Sequence, residues 1–370
     1  MKNWGNRPWK VNFRAEEKEL PARVEFAVVG GGFAGLAAAA WLKKLAPEKN
    51  VALLEAKEFG AGASGHTGGM VLAETAAGDL PGLGDVLVGY RKILEELEVD
   101  GDVTLPGVYE LGRRDALQDT PIRWKDSGDL CAVKRVEGGT IHPGKVVSGL
   151  AHTASRSGVL LYENAGVQNA KFGNEIELQI KRGSLRAEKV LFATNAYSLE
   201  MTGLQERAES TFTLAAMTEE LSEEIFEEVG LAERKPFYTV DLPYLWGRPL
   251  GMAMIFGCGL VHVGNWRELE ELDIESGEAP EMFARLEKRV RGLHPALKSV
   301  KFTHRWGGPI CISDEVKPVF ERHAESENAI VLGAFSGHGV AQSVYLGAWA
   351  AAAMLGKREL PNWKSVKAKW

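Results

Sequence analysis

Cysteine is scarce in this chain: three among 370 residues, Cys131, Cys258 and Cys311, and no C-x-x-C pair. That excludes a disulfide framework and the usual zinc spacings, no metal site is expected, and a reducing compartment, by default the cytoplasm, is implied. Positive charge is not in excess. Lys plus Arg number 44 against 50 Asp plus Glu, a formal net charge of −6, opposite to the electrostatic footprint of a nucleic-acid binder, so no nucleic-acid partner is expected. Long apolar runs are missing too. Phe26–Leu42 and Val344–Leu355 are short or broken by glycine, whereas a spanning helix needs about 20 apolar residues, so no membrane span is expected. The opening MKNWGNRPWK is too polar for a secretory signal, and Trp4 and Trp9 are expected to pack onto the folded body. No internal repeat or low-complexity tract occurs.

What is present is a globular composition, 45% hydrophobic and 25% charged, in a chain longer than the roughly 250–300 residues at which one core stops growing. Two domains follow. From Val24 to Leu45 a β-branched run meets glycines and becomes an alanine-rich helical pattern; Pro47 stops it, and Val51–Glu55 reads as a second strand parallel to the first. This is a βαβ unit. A charged amphipathic helix is predicted over Asp85–Val99, a strand over Gly107–Gly112, a helix over Ile141–Gly158 and strands over Val159–Glu163, Ile176–Ile180 and Val190–Thr194. Between about Thr211 and Lys301, strands (Phe237–Val240, Met252–Gly257, Leu260–Val263) mix with acidic helices (Glu219–Val229, Glu281–Leu293), as in a separate, mainly antiparallel domain. A last strand, Ile330–Phe335, leads through Ser336-Gly337-His338-Gly339 to a small-residue helix, Val340–Leu355. The fold class expected is α/β: a discontinuous Rossmann-like domain and a second domain of antiparallel sheet plus helices.

Gly30-x-Gly32-x-x-Gly35 follows a strand and opens a helix, and Glu55 stands twenty residues beyond at the end of the next strand. Such glycines permit a tight turn, close approach of amides to a pyrophosphate and close helix–strand packing, while the carboxylate accepts ribose hydroxyls. Phe33 and Ala34 sit within the turn, and Ala56 and Lys57 just after the acid. A second loop of small residues, Gly60 to Met70, favours FAD over NAD, since backbone can pass close to an extended cofactor there.

VVGGGFAGLAAAAWL, ALLEA and GASGHTGG closely resemble the FAD-dependent amine and amino-acid oxidoreductases of the D-amino-acid oxidase superfamily, most of all its gamma-glutamylputrescine oxidoreductase-like branch. The resemblance runs on in register through HPGKVVSGLAHTASRSGVLLYE, VLFATNAY, RWGGPICISDEVKP and GAFSGHGVAQS. It implies that residues 1–80, 140–207 and 305–370 bind FAD, and that 81–139 and 208–304 form the substrate domain. It implies cofactor contacts at Gly62, Ala63, Ser64, His66, Thr67, Gly68, Gly69 and Met70, at Val167 by its backbone on the adenine side, at Ala193 and Thr194, at Gly308, and at Gly337, His338, Gly339, Val340 and Ala341 beside the flavin ring. Unpaired amides at the start of the helix near Val340 are suited to the negative charge a reduced flavin gathers, and His338 is expected to add a cationic or hydrogen-bonding contact; a loop histidine satisfied by backbone is the alternative.

Two departures matter. His66-Thr67 stand where the branch has Arg-Asn, and similar dimethylglycine and sarcosine dehydrogenases carry a flavin-bonded histidine there, so a covalent bond through His66 competes with non-covalent contact, the favoured reading, and with a purely structural role. Ala341 stands where sarcosine oxidases have a carboxylate-binding lysine, which puts simple amino-acid oxidation in doubt. Cys311 reads as a buried inert thiol. For substrate, Phe237–Arg248 gathers Asp241, Tyr244, Trp246 and Arg248; the rings wall an amine site and Asp241 holds its ammonium, or all four are core and surface residues. With His338, Tyr244 and Arg248 are the catalytic candidates. The expected activity is oxidation of a C–N bond of a small-molecule amine or amino acid by hydride transfer to flavin N5, giving an imine that hydrolyses, with oxygen or another species as electron acceptor. The alternatives are a non-catalytic flavin-fold protein or subunit and, less compatible with the second glycine loop, an NAD-dependent dehydrogenase.

Overall fold

A computed structural model describes residues 2–363. Met1 and residues 364–370, at the ends of the expected FAD-binding unit, lie outside the described residues.

The strand Arg23–Val29 is buried on both faces, as a central parallel strand must be: Phe26 and Val28 pack toward helices, Ala27 and Val29 toward a second core. It lies between Val51–Leu54 and Gly183–Phe192, and the parallel order continues outward to Leu160–Tyr162 on one side and Ser326–Gly333 on the other. An antiparallel strand, Val319–His323, closes one edge, and Ile176–Ile180 with Val167–Lys171 extends from Gly183–Phe192 as an antiparallel ribbon. Four helices share one hydrophobic cluster on this sheet: Phe33–Leu45, Val86–Glu96, Pro143–Arg156 and Gly339–Met354.

A second eight-stranded sheet runs Phe302–Ser313, Ala208–Thr218, Ala253–His262, Trp246–Leu250, Phe237–Thr239, Val108–Gly112, Asp129–Val136, Trp124–Lys125. All its pairings are antiparallel except that of Phe237–Thr239 with Val108–Gly112. The helix Ala279–Leu293 buries Phe283, Leu286, Val290 and Leu293, a three-and-four spacing that turns one face inward. The α/β class with an antiparallel second sheet is thus as expected.

Several details differ from the sequence expectation. Met252–Gly257 and Leu260–Val263 are one strand, Ala253–His262; the intervening Gly259, at φ 74°, is absorbed where the pairing with Ala208–Thr218 shifts register, so the glycine marks a bulge and not an end. The helix Val86–Glu96, expected in the substrate domain, joins the helical cluster on the first sheet through Val86, Tyr90 and Ile93. Phe302–Ser313 crosses the expected boundary at 305 and pairs along its length with Ala208–Thr218.

The segment before the first strand runs as a strap across both sheets. Trp4 and Trp9 are each 4% exposed. Trp4 Nε1 donates to the Leu269 carbonyl at 3.0 Å and Trp9 Nε1 to that of Gly65 at 2.8 Å, while the Asn6 N–H donates to the Arg305 carbonyl and the Asn12 N–H to Ser148 Oγ.

Candidate cofactor and substrate site

A cleft of about 2130 Å³ lies between the two sheets. It exceeds the roughly 300–1,000 Å³ of an ordinary small-molecule pocket, leaving room for a dinucleotide and a second molecule.

At one end, the chain leaves the first strand through Gly30 at φ 109°, where a Cβ would stand 2.5 Å from the Ala193 carbonyl oxygen. Only glycine fits that turn. The Gly31 N–H donates to Glu55 Oε2 at 2.6 Å and the Lys57 N–H to Oε1 at 2.9 Å. Burial pushes the Glu55 carboxyl above the usual carboxylate range, and these amide bonds act against that shift. Ser64 Oγ accepts from the Phe33 N–H at 2.9 Å, tying the second glycine loop to the helix start. Gly32 caps that helix without a side-chain hydrogen bond. Gly30, Gly32, Phe33, Ala34, Glu55, Ala56 and Lys57 line this end, with Val167, Ala193 and Thr194. Thr194 Oγ1 is buried without a hydrogen-bond partner. The glycine cradle, the backbone-held carboxylate and this orphaned hydroxyl fit a dinucleotide.

Gly62, Ala63, Ser64, His66, Thr67, Gly68 and Met70 line the middle of the cleft. The Trp246 indole fills the space a Cβ would need at Gly68 and at Gly257, so it is held between the loop and the second sheet. A Cβ at Gly308 would lie 2.7 Å from His66 Cβ. His66 Nδ1 lies 3.0 Å from the Gly62 carbonyl and its Nε2 2.8 Å from Arg7 Nη1. Arg7 Nη1 is also 3.0 Å from Nδ1, so the guanidinium lies against the ring rather than on one nitrogen, and Nδ1–H donates to the carbonyl. Burial, reinforced by the Arg7 charge, pulls the imidazole down to about 3, so the ring is neutral.

At the far end, Ser336 and Gly337 take φ 50° and 84°, and the Ser336 N–H donates to the Cys311 carbonyl. Gly337, His338, Gly339 and Val340 line the cleft there. His338 Nδ1 lies 3.2 Å from the Ser336 carbonyl, so Nδ1–H donates and Nε2, with no hydrogen bond among the described residues, remains an acceptor. Burial lowers the pKa of His338 and the Glu74 carboxylate partly restores it. The contact it offers is that of a neutral ring, not a cation. Cys311 is 1% exposed and burial pushes its thiol up to about 12.

Tyr244 lines the cleft with 42% of its surface exposed, and burial of its hydroxyl raises its pKa to about 12. Arg289 holds the loop that carries it: Nε and Nη2 donate to the Asp126 carboxylate at 3.0 and 2.7 Å, Nη1 to the Tyr244 carbonyl at 3.0 Å and Nη2 to that of Pro243 at 2.7 Å.

Five sequence candidates do not line the cleft. Gly35 packs inside the turn, where a Cβ would strike the Gly30 carbonyl; Gly69 packs against Ile141 and Pro143; Ala341 is 1% exposed, within the helix. Arg248 shares a strand face with Trp246 but lies one pleat farther on, 2% exposed, beyond the end of the cleft. Its Nη1 donates to the Ile141 carbonyl at 2.9 Å, Nε and Nη2 have no hydrogen-bond partner, and desolvation pulls it down to about 10. Asp241 does not line the cleft either; it accepts from the Arg113 N–H at 2.8 Å. Conversely, Arg7, Leu72, Leu260, Met282 and Arg289 belong to the site or its support without a local sequence signal. No cluster that could hold a metal ion occurs among the described residues, and no described helix is long and apolar enough to cross a membrane.

Comparison with known proteins agrees with this geometry. A family profile described as FAD dependent oxidoreductase (DAO) matches residues 25–353. The chain is 25% identical to a probable oxidoreductase OrdL of Rhizobium meliloti, over 93% of this chain and 86% of that one. It is also 25% identical to gamma-glutamylputrescine oxidoreductase of Escherichia coli, over 85% and 79%. A glycine oxidase structure from Bacillus cereus superposes with a TM-score of 0.71 at 18% identity, covering 91% of this chain and 96% of the other, which bears on the fold alone. The chain therefore belongs to the DAO family of FAD-dependent oxidoreductases, and its cofactor is FAD.

Proposed function

We propose that the chain oxidises the C–N bond of a small amine or amino acid to an imine, which water hydrolyses to a carbonyl compound and an amine or ammonia. When bound, the flavin supplies the two-electron acceptor for a hydride from the carbon beside nitrogen. The protein's own residues supply the rest. The turn Gly30–Gly35, Glu55 and the loop Gly62–Met70 hold the dinucleotide, and the start of the helix Gly339–Met354 lends positive potential to the reacting end. His338 Nε2 accepts an N–H of the substrate, and the reacting form is the neutral amine, whose nitrogen lone pair drives hydride departure. Tyr244 and Trp246 wall the amine in and exclude water.

In this reading the two units divide where the chain crosses between the sheets, near residues 100, 140, 207 and 313. Three free cysteines favour a reducing compartment, and we place the protein in the cytoplasm. Turnover with and without air separates oxygen from another electron acceptor.

The observation that carries the proposal is the free Nε2 of a neutral His338 in a dinucleotide-sized cleft that Tyr244 and Trp246 also line. The test is the absorption spectrum of the purified protein before and after anaerobic addition of a panel of amines. A yellow protein bleached by a member of the panel is expected; flavin-loaded protein that no amine or amino acid bleaches would refute C–N oxidation.

A further inference from the structure

We infer that the substrate is an apolar amine carrying no carboxylate on the carbon beside nitrogen. The inference rests on the amine-oxidation reading above and narrows its substrate class.

A buried carboxylate needs a cation or several donors of its own, because an unpaired charge out of water is strongly disfavoured. The arginines of the cleft are not free cations in its buried part. Arg289 is held 2.7 Å from Asp126, both buried, while Arg285 and Arg267, beside Glu281 and Glu200, have side chains 73% and 61% exposed and keep their charge in water. Of the lysines, Lys57 is 2.8 Å from Glu270, and Lys181 follows Ile180, which pairs with Val167 at the adenosine end. His262 is solvent-exposed at the outer end of its strand. Arg248, the one deeply buried guanidinium with unpartnered nitrogens, is not a lining residue.

Much of what lines the remaining space is apolar, Met70, Leu72, Trp246, Leu260, Met282 and Ile310; of the hydroxyls there, that of Thr213 already donates to the Gly259 carbonyl, and Tyr244 offers a single neutral donor. Leu260 is 40% exposed although hydrophobic. The polar acceptor that remains, His338 Nε2, suits an N–H donor and would repel a carboxylate oxygen. A site of this kind selects by what it leaves unpaired, as binding sites with unmatched polar groups do.

The experiment uses the flavin-loaded protein and two matched pairs. Phenethylamine and each enantiomer of phenylalanine differ only in the carboxylate, and flavin bleaching is followed anaerobically. Cumylamine and α-methylphenylglycine both lack a transferable hydrogen, so their binding is read from the shift of the flavin absorption without turnover.

The uncarboxylated member of each pair is expected to act at a concentration lower by on the order of 100-fold. Equal or tighter action of either phenylalanine enantiomer, or of α-methylphenylglycine over cumylamine, overturns the inference. If no member of the amine and amino-acid panel bleaches the flavin but cumylamine still binds far more tightly than its acid, C–N oxidation falls while the ligand class stands. Ile310→Arg, which places an uncommitted cation on the apolar wall, is expected to shift the α-methylphenylglycine to cumylamine ratio toward the acid. An unchanged ratio in a folded, yellow variant counts against the inference.

Discussion

Arg289→Met is the most searching perturbation of the cleft roof. The guanidinium makes two charge-assisted bonds to Asp126 and two to the carbonyls of Pro243 and Tyr244, and its side chain and that of Asp126 are only 14% and 6% exposed. Removing one partner of such a buried pair ordinarily costs about 3–5 kcal/mol. Asp126 is not orphaned, because Arg113 Nη2 stays 3.0 Å from Oδ2. The expected loss is therefore about 2–3 kcal/mol, and Tm should fall by about 3–4 °C. The lost carbonyl tethers also release the loop that sets Tyr244 on the cleft, so the amine concentration for half-maximal flavin reduction should rise more than the limiting rate falls. Arg289→Lys keeps the charge but not the planar fork, and should recover less than half of either effect. Thermal unfolding and anaerobic flavin reduction measure both. An unchanged Tm, or full rescue by lysine, would show that the fork does not hold the loop.

Glu55→Arg should abolish FAD retention, since a cation replaces an acceptor that anchors the Gly31 and Lys57 amides; flavin content after gel filtration decides. Because Arg7 and the Gly62 carbonyl engage both ring nitrogens of His66, acid precipitation should give a colourless pellet, and a yellow pellet with a mass gain of one FAD would instead prove attachment. Folded His66 resists protonation until about pH 3 whereas an unfolded one protonates near 6.5. Its share of stability should thus be intact above about pH 6.5 and shrink as pH falls toward 3, and His66→Asn should flatten that side of a pH–stability curve. For His338, whose pKa is lowered, the half-saturating amine concentration, corrected for the fraction of free amine that is neutral, should stay constant down to the ordinary value of about 6.5 and rise only below it, and His338→Asn should remove that rise; a rise at or above that value contradicts the neutral-acceptor role.

The cofactor end of the cleft was legible in the sequence because its logic is local. Gly30, Gly32, Gly35 and Glu55 act within one βαβ unit, where spacing alone implies geometry. The substrate end was legible only as a neighbourhood. Closeness in sequence grouped Arg248 with Trp246, but it could not show that the two share a strand, Trp246–Leu250, and that the cleft ends between them. Asp241 looked free because its partner, the Arg113 backbone, lies 128 residues away. Arg289 sits on an amphipathic helix among other charged residues, and its role depends on where the Pro243 and Tyr244 carbonyls arrive. Ala253–His262 was split into two strands because a glycine that breaks a ladder and one that bulges it look alike in one dimension.

The strap through Trp4 and Trp9 has a consequence for the order in which the molecule can be made. Its partners include the Leu269 and Arg305 carbonyls, so some three hundred further residues must be made before the strap is fully seated. Arg7 and His66, and Trp9 and the Gly65 carbonyl, are only 59 and 56 residues apart and can meet early. The strap is thus seated in two stages, first on the cofactor loop and later across the second sheet. The two stages become separable events, and a bulky fusion placed ahead of Trp4 should interfere with the second while sparing the first.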